Sequence, residues 1–305
     1  MKTGLVLEGG AMRGMYTAGA LDVFLKEDVR FQGVMGVSAG ALFGVNFLSG
    51  QAGRVIRYCK KYNPDHHYMG LGVLLHTGEF VNRDFAYDKV PRELDPFDDR
   101  AFQASGVPFY AVVTNLDTGN AEYLPIHSVF AEMDVLRASG SMPFFAQPVP
   151  WQGRRYLDGG VADSIPYEAV GRLGYDRRVV ILTRDLEYRK KPMPRAAVRA
   201  MYGKYPVFCQ RLLNRHTVYN ASVARLAALE KAGVYFADRD TVEKVEKMKV
   251  TVCLNPLHTA LAVFGCVLGY DAIWKETEDP ELAKLIRVIG YDEGLKVAPD
   301  PGILS

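Results

Sequence analysis

The first part of the chain alternates short apolar runs with segments of helical spacing. Thr3 to Leu7 is a β-prone run that ends in a glycine turn, and apolar residues at helical spacing follow from Tyr16 to Lys26. The same order recurs at once, with a strand predicted at Gly33 to Val37, a tight turn at Ser38-Ala39-Gly40 and a helix starting at Ala41 to Leu48. The pattern therefore predicts two successive strand–turn–helix units.

Further buried strands are expected at Phe109 to Thr114 and at Val179 to Thr183. Strands that alternate with helices favour a largely parallel sheet covered on both faces. Ligands of such folds bind at the carboxyl ends of the strands. Because both glycine turns lie at such ends, the sequence predicts an α/β fold with its site at these turns.

The sequence pattern changes at Lys190, where a proline-interrupted stretch begins. A helical pattern follows it from Arg195 to Lys231. Between Arg177 and Arg215 the sequence has eleven Lys or Arg residues and two acidic residues, with aromatic and apolar residues interleaved. Two interpretations stay open for this basic stretch. It contacts an anionic lipid surface, or it is the solvated face of amphipathic helices.

Composition limits the functional classes. A chain of 305 residues with 49% hydrophobic residues can bury one large core and a small appended unit. The net charge of +2 leaves no electrostatic footprint for nucleic acid. The start of the chain lacks the apolar run of a signal peptide, so cytoplasmic location is expected. The cysteines have no zinc or disulfide spacing and are expected to be free, mostly buried thiols; they are Cys59, Cys209, Cys253 and Cys266.

The first candidate for chemistry is Ser38, in Gly36-Val37-Ser38-Ala39-Gly40. This Gly-x-Ser-x-Gly turn lies between a predicted strand and a predicted helix, which is the context of a nucleophile elbow. The glycines Gly36 and Gly40 allow a sharp backbone turn. The N-terminus of the following helix favours developing negative charge. We interpret Ser38 as the leading nucleophile candidate.

A serine that attacks an ester needs hydrogen-bond donors for the oxyanion, and backbone amides on a small-residue turn supply them best. The turn Gly9-Gly10-Ala11-Met12-Arg13-Gly14 follows the first strand and is expected beside Ser38. Phosphate binding is disfavoured, since Met15 and Tyr16 stand where a P-loop has Lys and Ser or Thr. The dinucleotide fingerprint also fails, because Ala11 occupies its second glycine.

The base candidate is Asp158 in Asp158-Gly159-Gly160, after a short apolar run. Glycines there allow another backbone to approach closely. Taken alone, Asp-Gly-Gly is typical of a hairpin turn. The assignment of Asp158 as a base is stronger because its motif is the third in chain order, after the glycine loop and the serine turn.

These three motifs make residues 1 to about 230 resemble a bacterial patatin-like phospholipase. The resemblance implies a three-layer α/β sandwich with a mainly parallel sheet, over residues 1–232. It also implies a Ser38–Asp158 dyad, an oxyanion loop that includes Arg13, and an acyl-enzyme formed from a lipid ester without metal or organic cofactor. The stretch Arg137 to Pro143 is similar to the family's usual segment before the aspartate.

Ala11 departs from the family pattern, which usually has glycine at this third position of the loop. A positive φ at Ala11 would be strained. A second hypothesis is therefore a catalytically weak module on the same scaffold that binds lipid or a partner protein.

An α/β-hydrolase triad is the competing enzyme class, with Ser38, Asp158 and either His216 or His258 in suitable chain order. A single strand precedes the Ser38 strand, which leaves no room for the upstream oxyanion loop of such folds. The histidines lie outside recognisable motifs, and we interpret them as surface or hydrogen-bonded residues.

Residues 233–305 resemble a different family, the C-terminal helical domain of mannitol dehydrogenase and fructuronate reductase. Asn255 and His258 match residues that handle substrate in that family, and Lys249 lies one residue further from the asparagine than usual. Hydride transfer needs a nicotinamide domain, and no dinucleotide fingerprint follows a strand. A polyol oxidoreductase is therefore the third and least favoured hypothesis. We interpret the tail as a fused helical fragment whose residues are idle.

Overall fold

The computed structural model describes residues 1–230. Residues Met1–Ala228 form one compact unit. Within the described residues there are seven strands: β1 (Thr3–Leu7), β2 (Gly33–Val37), β3 (Phe109–Asn115), β4 (Ala121–Ile126), β5 (Val149–Trp151), β6 (Arg154–Asp158) and β7 (Arg177–Ile181).

The helices of the same part of the chain follow or connect these strands. They are α1 (Gly14–Lys26), α2 (Ala39–Leu48), α3 (Arg54–Tyr62), α4 (Leu71–Thr77), a π-helix (Phe85–Leu94), α5 (Asp99–Ala104), α6 (Met133–Gly140), α7 (Tyr167–Arg172), α8 (Arg195–Tyr202), α9 (Pro206–Glu230) and two short 3-10 helices (Ala11–Arg13 and Gly159–Val161).

The strands of residues 1–230 form one sheet whose hydrogen-bonded neighbours follow the path β5-β6-β3-β2-β1-β7, and β4 also pairs with β3. The four strands β7, β1, β2 and β3 run parallel. Strands β4 and β6 are antiparallel to β3, and β5 is antiparallel to β6. The predicted α/β class with a mainly parallel sheet is confirmed, and antiparallel strands extend it beyond β3.

The bounds of β1 and β2 agree with the sequence prediction, and β7 begins and ends two residues earlier than expected. The glycine turns after β1 and β2 lead into α1 and α2, as predicted.

Helices cover both faces of the sheet because alternate strand residues point to opposite sides. On one face, Val113 and Tyr156 join a core built with residues of α1, α2, α5 and α6. On the other face, Leu157 packs with Val198 of α8 and Phe208 of α9. This arrangement is the expected three-layer sandwich.

Among residues 1–230, none of the helices has both the length and the apolarity needed to cross a bilayer. Cys59 and Cys209 are buried free thiols, as expected. The other two cysteines lie outside the described residues. The tail residues Lys249, Asn255 and His258 lie outside them as well, and the predicted boundary at residues 232 and 233 stays a prediction.

Candidate active site

Ser38 lies in a tight turn between β2 and α2, with φ 55° and ψ −124°. A left-handed φ is rare for a residue with a side chain and persists where the surroundings enforce it. A Cβ on Gly36 would lie 2.5 Å from the carbonyl oxygen of Gly40. A Cβ on Gly40 would overlap the carbonyl oxygen of Leu7. The two glycines of the motif therefore permit the sharp turn that was predicted.

Strand register brings Ser38 and Asp158 together. Val37 of β2 pairs with Val112 of β3 in parallel, and Asp158 of β6 pairs with Val113 in antiparallel orientation. Strand β4 occupies the other edge of β3 along residues 109–114. Strands β2 and β6 therefore lie on the same edge of β3 and run toward each other, so that their last residues meet.

The Asp158 carboxylate is almost completely enclosed, with 3% of the residue exposed. It accepts a hydrogen bond of 2.7 Å from the amide of Gly160, and the Ser38 hydroxyl interacts with it as a hydrogen-bond donor. Burial raises the pKa of the Asp158 carboxyl above its ordinary value, although the charge of Arg215 and these hydrogen bonds oppose the shift. Asp158 is thus a stronger base than a solvated aspartate.

The glycine loop after β1 lies beside Ser38, as predicted, because Leu7 of β1 pairs with Gly36 of β2. A Cβ on Gly9 would lie 2.7 Å from the Cβ of Ser38. The backbone amides of Gly9, Gly10 and Ala11 donate no hydrogen bond to any group within residues 1–230. Unpaired amides next to a serine hydroxyl are suited to binding an oxyanion.

Two cavities meet at Ser38, which lines both of them together with Ala11 and Met142. The first has a volume of about 200 Å³ and is lined mainly by apolar and aromatic side chains. The second has a volume of about 370 Å³, and polar groups form a larger share of its lining than in the first cavity. Its lining includes five basic side chains, which are Arg13, Arg184, Lys190, Lys191 and Arg215.

Residues 5–170 match the family model described as patatin-like phospholipase. The chain belongs to the patatin-like phospholipase family. The match covers β1 to α7 and includes the loop, the serine turn and the aspartate turn of the site. The sequence-based recognition is therefore confirmed for this part of the chain.

Two relatives are similar to this chain over different lengths. Uncharacterized protein YjjU of Escherichia coli is 32% identical over 184 residues, which are 59% of this chain and 51% of that protein. Lysophospholipase nte1 of Emericella nidulans is 23% identical over 270 residues, which are 83% of this chain and 16% of that protein. The chain thus spans about half of YjjU and a much smaller share of nte1.

A third relative agrees with the resemblance of the C-terminal tail to an oxidoreductase. D-mannonate oxidoreductase of Thermotoga maritima is 61% identical over 72 residues, which are 24% of this chain and 13% of that protein. So short a match identifies a shared segment and does not transfer an activity.

The patatin-like site contains a buried serine to which sequence reasoning gave no role. The Ser38 amide donates a hydrogen bond of 2.9 Å to the Ser139 hydroxyl, which itself donates one of 2.7 Å to the Val112 carbonyl oxygen. Ser139 is fully buried. It fixes the turn that contains Ser38 to β3, next to the point where Asp158 pairs. The available signal was its position in the segment before the aspartate that resembles the family.

Glu8 anchors the glycine loop that follows β1 and was also missed as a site residue. Its carboxylate accepts hydrogen bonds of 2.6 Å from the amide and 3.2 Å from the hydroxyl of Thr183, and another from Tyr219. Burial raises the pKa of the Glu8 carboxyl. An acid directly after an apolar, β-prone run was the signal, since a charge next to a buried strand needs partners.

One of the two histidines considered for a triad lies near the patatin-like site. His216 lines the second cavity. Its ring nitrogens contact the carbonyl oxygen of Leu213 at 3.0 Å and the Thr217 hydroxyl at 3.4 Å. The interpretation of His216 as a hydrogen-bonded residue agrees with these contacts. His258 lies outside the described residues.

Proposed function

We propose that the protein is a serine acyl-ester hydrolase that acts on lipid esters, with Ser38 as nucleophile and Asp158 as base. The supporting observation is the convergence of β2 and β6 on one edge of β3, which joins the serine hydroxyl and the buried carboxylate. The family of the chain supports a lipid ester as the substrate class.

In the first half of the reaction, Ser38 Oγ attacks the ester carbonyl carbon and its proton passes to Asp158. The carbonyl oxygen becomes negative and is bound by the free amides of the Gly9-Gly10-Ala11 loop. The bond between the carbonyl carbon and the alcohol oxygen then breaks. The alcohol leaves with the proton from Asp158, and the acyl group remains on Ser38.

In the second half, water attacks the acyl-serine while Asp158 accepts its proton. The bond to Ser38 Oγ breaks, the proton returns to Ser38, and the carboxylic acid leaves. A raised pKa suits the carboxylate to this work, because a base is most efficient when its pKa lies near the working pH. These steps need no metal or organic cofactor.

The two cavities support one orientation of the substrate. The first cavity is lined by side chains such as Leu42, Phe43 and Met133 and suits an acyl chain. The alcohol part of the ester then faces the second cavity. Met12, 46% exposed beside the first cavity, and Phe145, 44% exposed beside the second, support transient contact with a lipid surface during substrate entry.

The test is labelling with a fluorophosphonate, followed by intact mass, for the wild type, Ser38→Ala and Asp158→Ala. Ser105→Ala is the control, because the Ser105 hydroxyl bonds to the Phe102 carbonyl oxygen away from the site. We expect the label to be lost with Ser38→Ala, strongly slowed with Asp158→Ala and retained in the control, with matching loss of p-nitrophenyl butyrate hydrolysis. Full labelling of both site variants would remove the assignment.

A lipid-binding module without turnover is the second candidate, and one observation favours it. Ala11, in the middle of the oxyanion loop, has a φ of 47°, which is strained for a residue with a side chain. This candidate predicts that the protein binds phospholipid vesicles while Ser38 stays unlabelled and short esters are not hydrolysed. The same labelling experiment therefore separates the two functions.

A further inference from the structure

The second cavity carries more positive charge than the proposed ester chemistry requires. Five basic residues line it, and the two acids on its wall are Glu8 and Asp158; the basic residues are Arg13, Arg184, Lys190, Lys191 and Arg215. Among residues 1–230, neither Lys190 nor Arg215 forms an ion pair, because no carboxylate oxygen lies within 4.0 Å of their side-chain nitrogens. The Glu8 carboxylate is engaged by Thr183 and Tyr219 instead. Cationic groups therefore outnumber the acids around this cavity.

The two inner cations are held in place rather than left on flexible chains. The backbone of Lys190 makes two hydrogen bonds with the Asn220 side chain, of 2.7 Å and 3.1 Å, and its ammonium lies 4.0 Å from the ring centre of Tyr219. The Nε of Arg215 donates a hydrogen bond of 2.5 Å to the carbonyl oxygen of Gly160. Fixed donors lose little entropy when they bind a ligand.

The electrostatics of Lys190 indicate that positive charge is crowded there. Burial and the charge of Arg215 lower the pKa of Lys190 to about 7, although Glu8 and Asp158 oppose the shift. An anion between Lys190 and Arg215 would raise the pKa of Lys190 again, because its negative charge offsets the repulsion from Arg215 and stabilises the ammonium in place of the lost solvent. The cavity is thus suited to an anion and unsuited to a further cation.

We propose that Lys190 and Arg215 bind a phosphate group carried by the alcohol part of the ester, so that the preferred substrate is a phospholipid or lysophospholipid with an anionic headgroup. This inference rests on the proposed function, because the acyl chain must occupy the first cavity for the alcohol to face the second. A choline headgroup brings its own cation into the same cavity and is repelled. Paired charged hydrogen bonds to phosphate supply the selectivity.

The experiment measures binding in Ser38→Ala, which cannot turn over, so that it does not depend on catalysis. Oleoyl lysophosphatidate and oleoyl lysophosphatidylcholine are titrated below their micelle concentrations by calorimetry. We expect the anionic lipid to bind at least about tenfold more tightly, as one charged hydrogen bond predicts. Adding Lys190→Gln should remove most of this preference. Lys60→Gln, which deletes a charge from the exposed side of α3, should keep it.

Titration with inorganic phosphate shows whether the cavity binds the phosphate of a lipid headgroup or free phosphate. We expect inorganic phosphate to bind much more weakly than the lysophosphatidate, because it gains nothing from the apolar cavity. Equal binding of phosphate and lysophosphatidate would assign the cavity to free phosphate and overturn the headgroup proposal. Equal affinity for the two lipids, or a preference that survives Lys190→Gln, would overturn it as well.

Failure of this inference is distinguishable from failure of the proposed function. Hydrolysis of p-nitrophenyl butyrate, which carries no phosphate, and labelling of Ser38 test the chemistry alone. Lipid selectivity in the inactive variant tests the cavity alone.

Discussion

Ser38 directly follows β2 and Asp158 ends β6, and these two strands run toward each other along one edge of β3. The neighbours Val112 and Val113 set their separation, because β2 pairs up to the first and β6 pairs from the second. Their proximity is thus fixed by sheet hydrogen bonds rather than by flexible loops. Groups held by regular elements keep their relative geometry more closely than groups held by loops.

The raised pKa of Asp158 predicts the acidic limb of the pH–rate profile. The protonated carboxyl cannot accept the Ser38 proton, so the activity falls as the pH drops through this pKa. We expect kcat/KM for p-nitrophenyl butyrate to fall with a midpoint above about 3.9, the value of a solvated aspartic acid. The profile of the wild type over the acidic and neutral range measures it. A midpoint at or below that value would contradict the assignment of Asp158 as base.

The same shift predicts that Asp158→Asn makes the folded protein more stable at neutral pH. A carboxyl whose folded pKa is raised above its unfolded value binds protons more tightly when folded, so its ionised form costs stability above that range. Asparagine keeps an oxygen for the Gly160 amide and carries no charge. We expect the Tm at pH 7 to rise by about 2–4 °C and the gain to vanish at acidic pH.

The control for this prediction is Asp117→Asn, which removes an exposed carboxylate paired with Arg155 at 3.7 Å. Exposed pairs contribute little, so the Tm should hardly change. A lower Tm for Asp158→Asn than for the wild type at neutral pH would show that its charge stabilises the fold.

The parallel half of the sheet could be predicted from the sequence because its signals are local. In β1 and β2, a run of β-prone residues ends in glycines and leads directly into a helical pattern, so strand, turn and helix all lie within a few residues. The serine turn and the glycine loop fall at these junctions. Their proximity then follows from neighbouring parallel strands.

The antiparallel half could not be predicted in the same way. Strand β4 is largely half-exposed and contains Pro125, and β6 begins with the exposed Arg154 and Arg155, so neither has a strong apolar pattern. The pairing of Asp158 with Val113 is a long-range register, which no local pattern encodes.

The basic stretch gave an incomplete picture for a related reason. It was expected to face solvent or a lipid surface, and several of its residues do remain exposed. Lys190 and Arg215, however, line the cavity next to Ser38 because Asn220 and Gly160 hold them there. Charge counts along a chain carry no information about such inward orientation.

Gly159 gives a prediction about the aspartate turn. A Cβ at this position would overlap the carbonyl oxygen of Val112, in the strand that pairs with β2. Gly159→Ala should therefore push β6 away from β3 and lower the free energy of unfolding by about 3 kcal/mol or more. Gly19→Ala is the matched control, since a Cβ there has no atom within 4 Å and α1 gains about 0.5–1 kcal/mol. Urea unfolding measures both, and equal stability of the two variants would contradict the close approach.

Ala11 gives the last prediction, because its left-handed φ of 47° costs a residue with a side chain more than it costs glycine. Ala11→Gly should remove this strain and raise the free energy of unfolding by about 1 kcal/mol, even though glycine gains entropy in the unfolded chain. Ala197→Gly, at an exposed position of α8, makes the same chemical change where φ is helical and should lower it by about 1 kcal/mol. Opposite signs for the two variants in urea unfolding would identify Ala11 as a strained position of the oxyanion loop, whereas a loss of stability in both would mean that its methyl group contributes more packing than the backbone conformation costs.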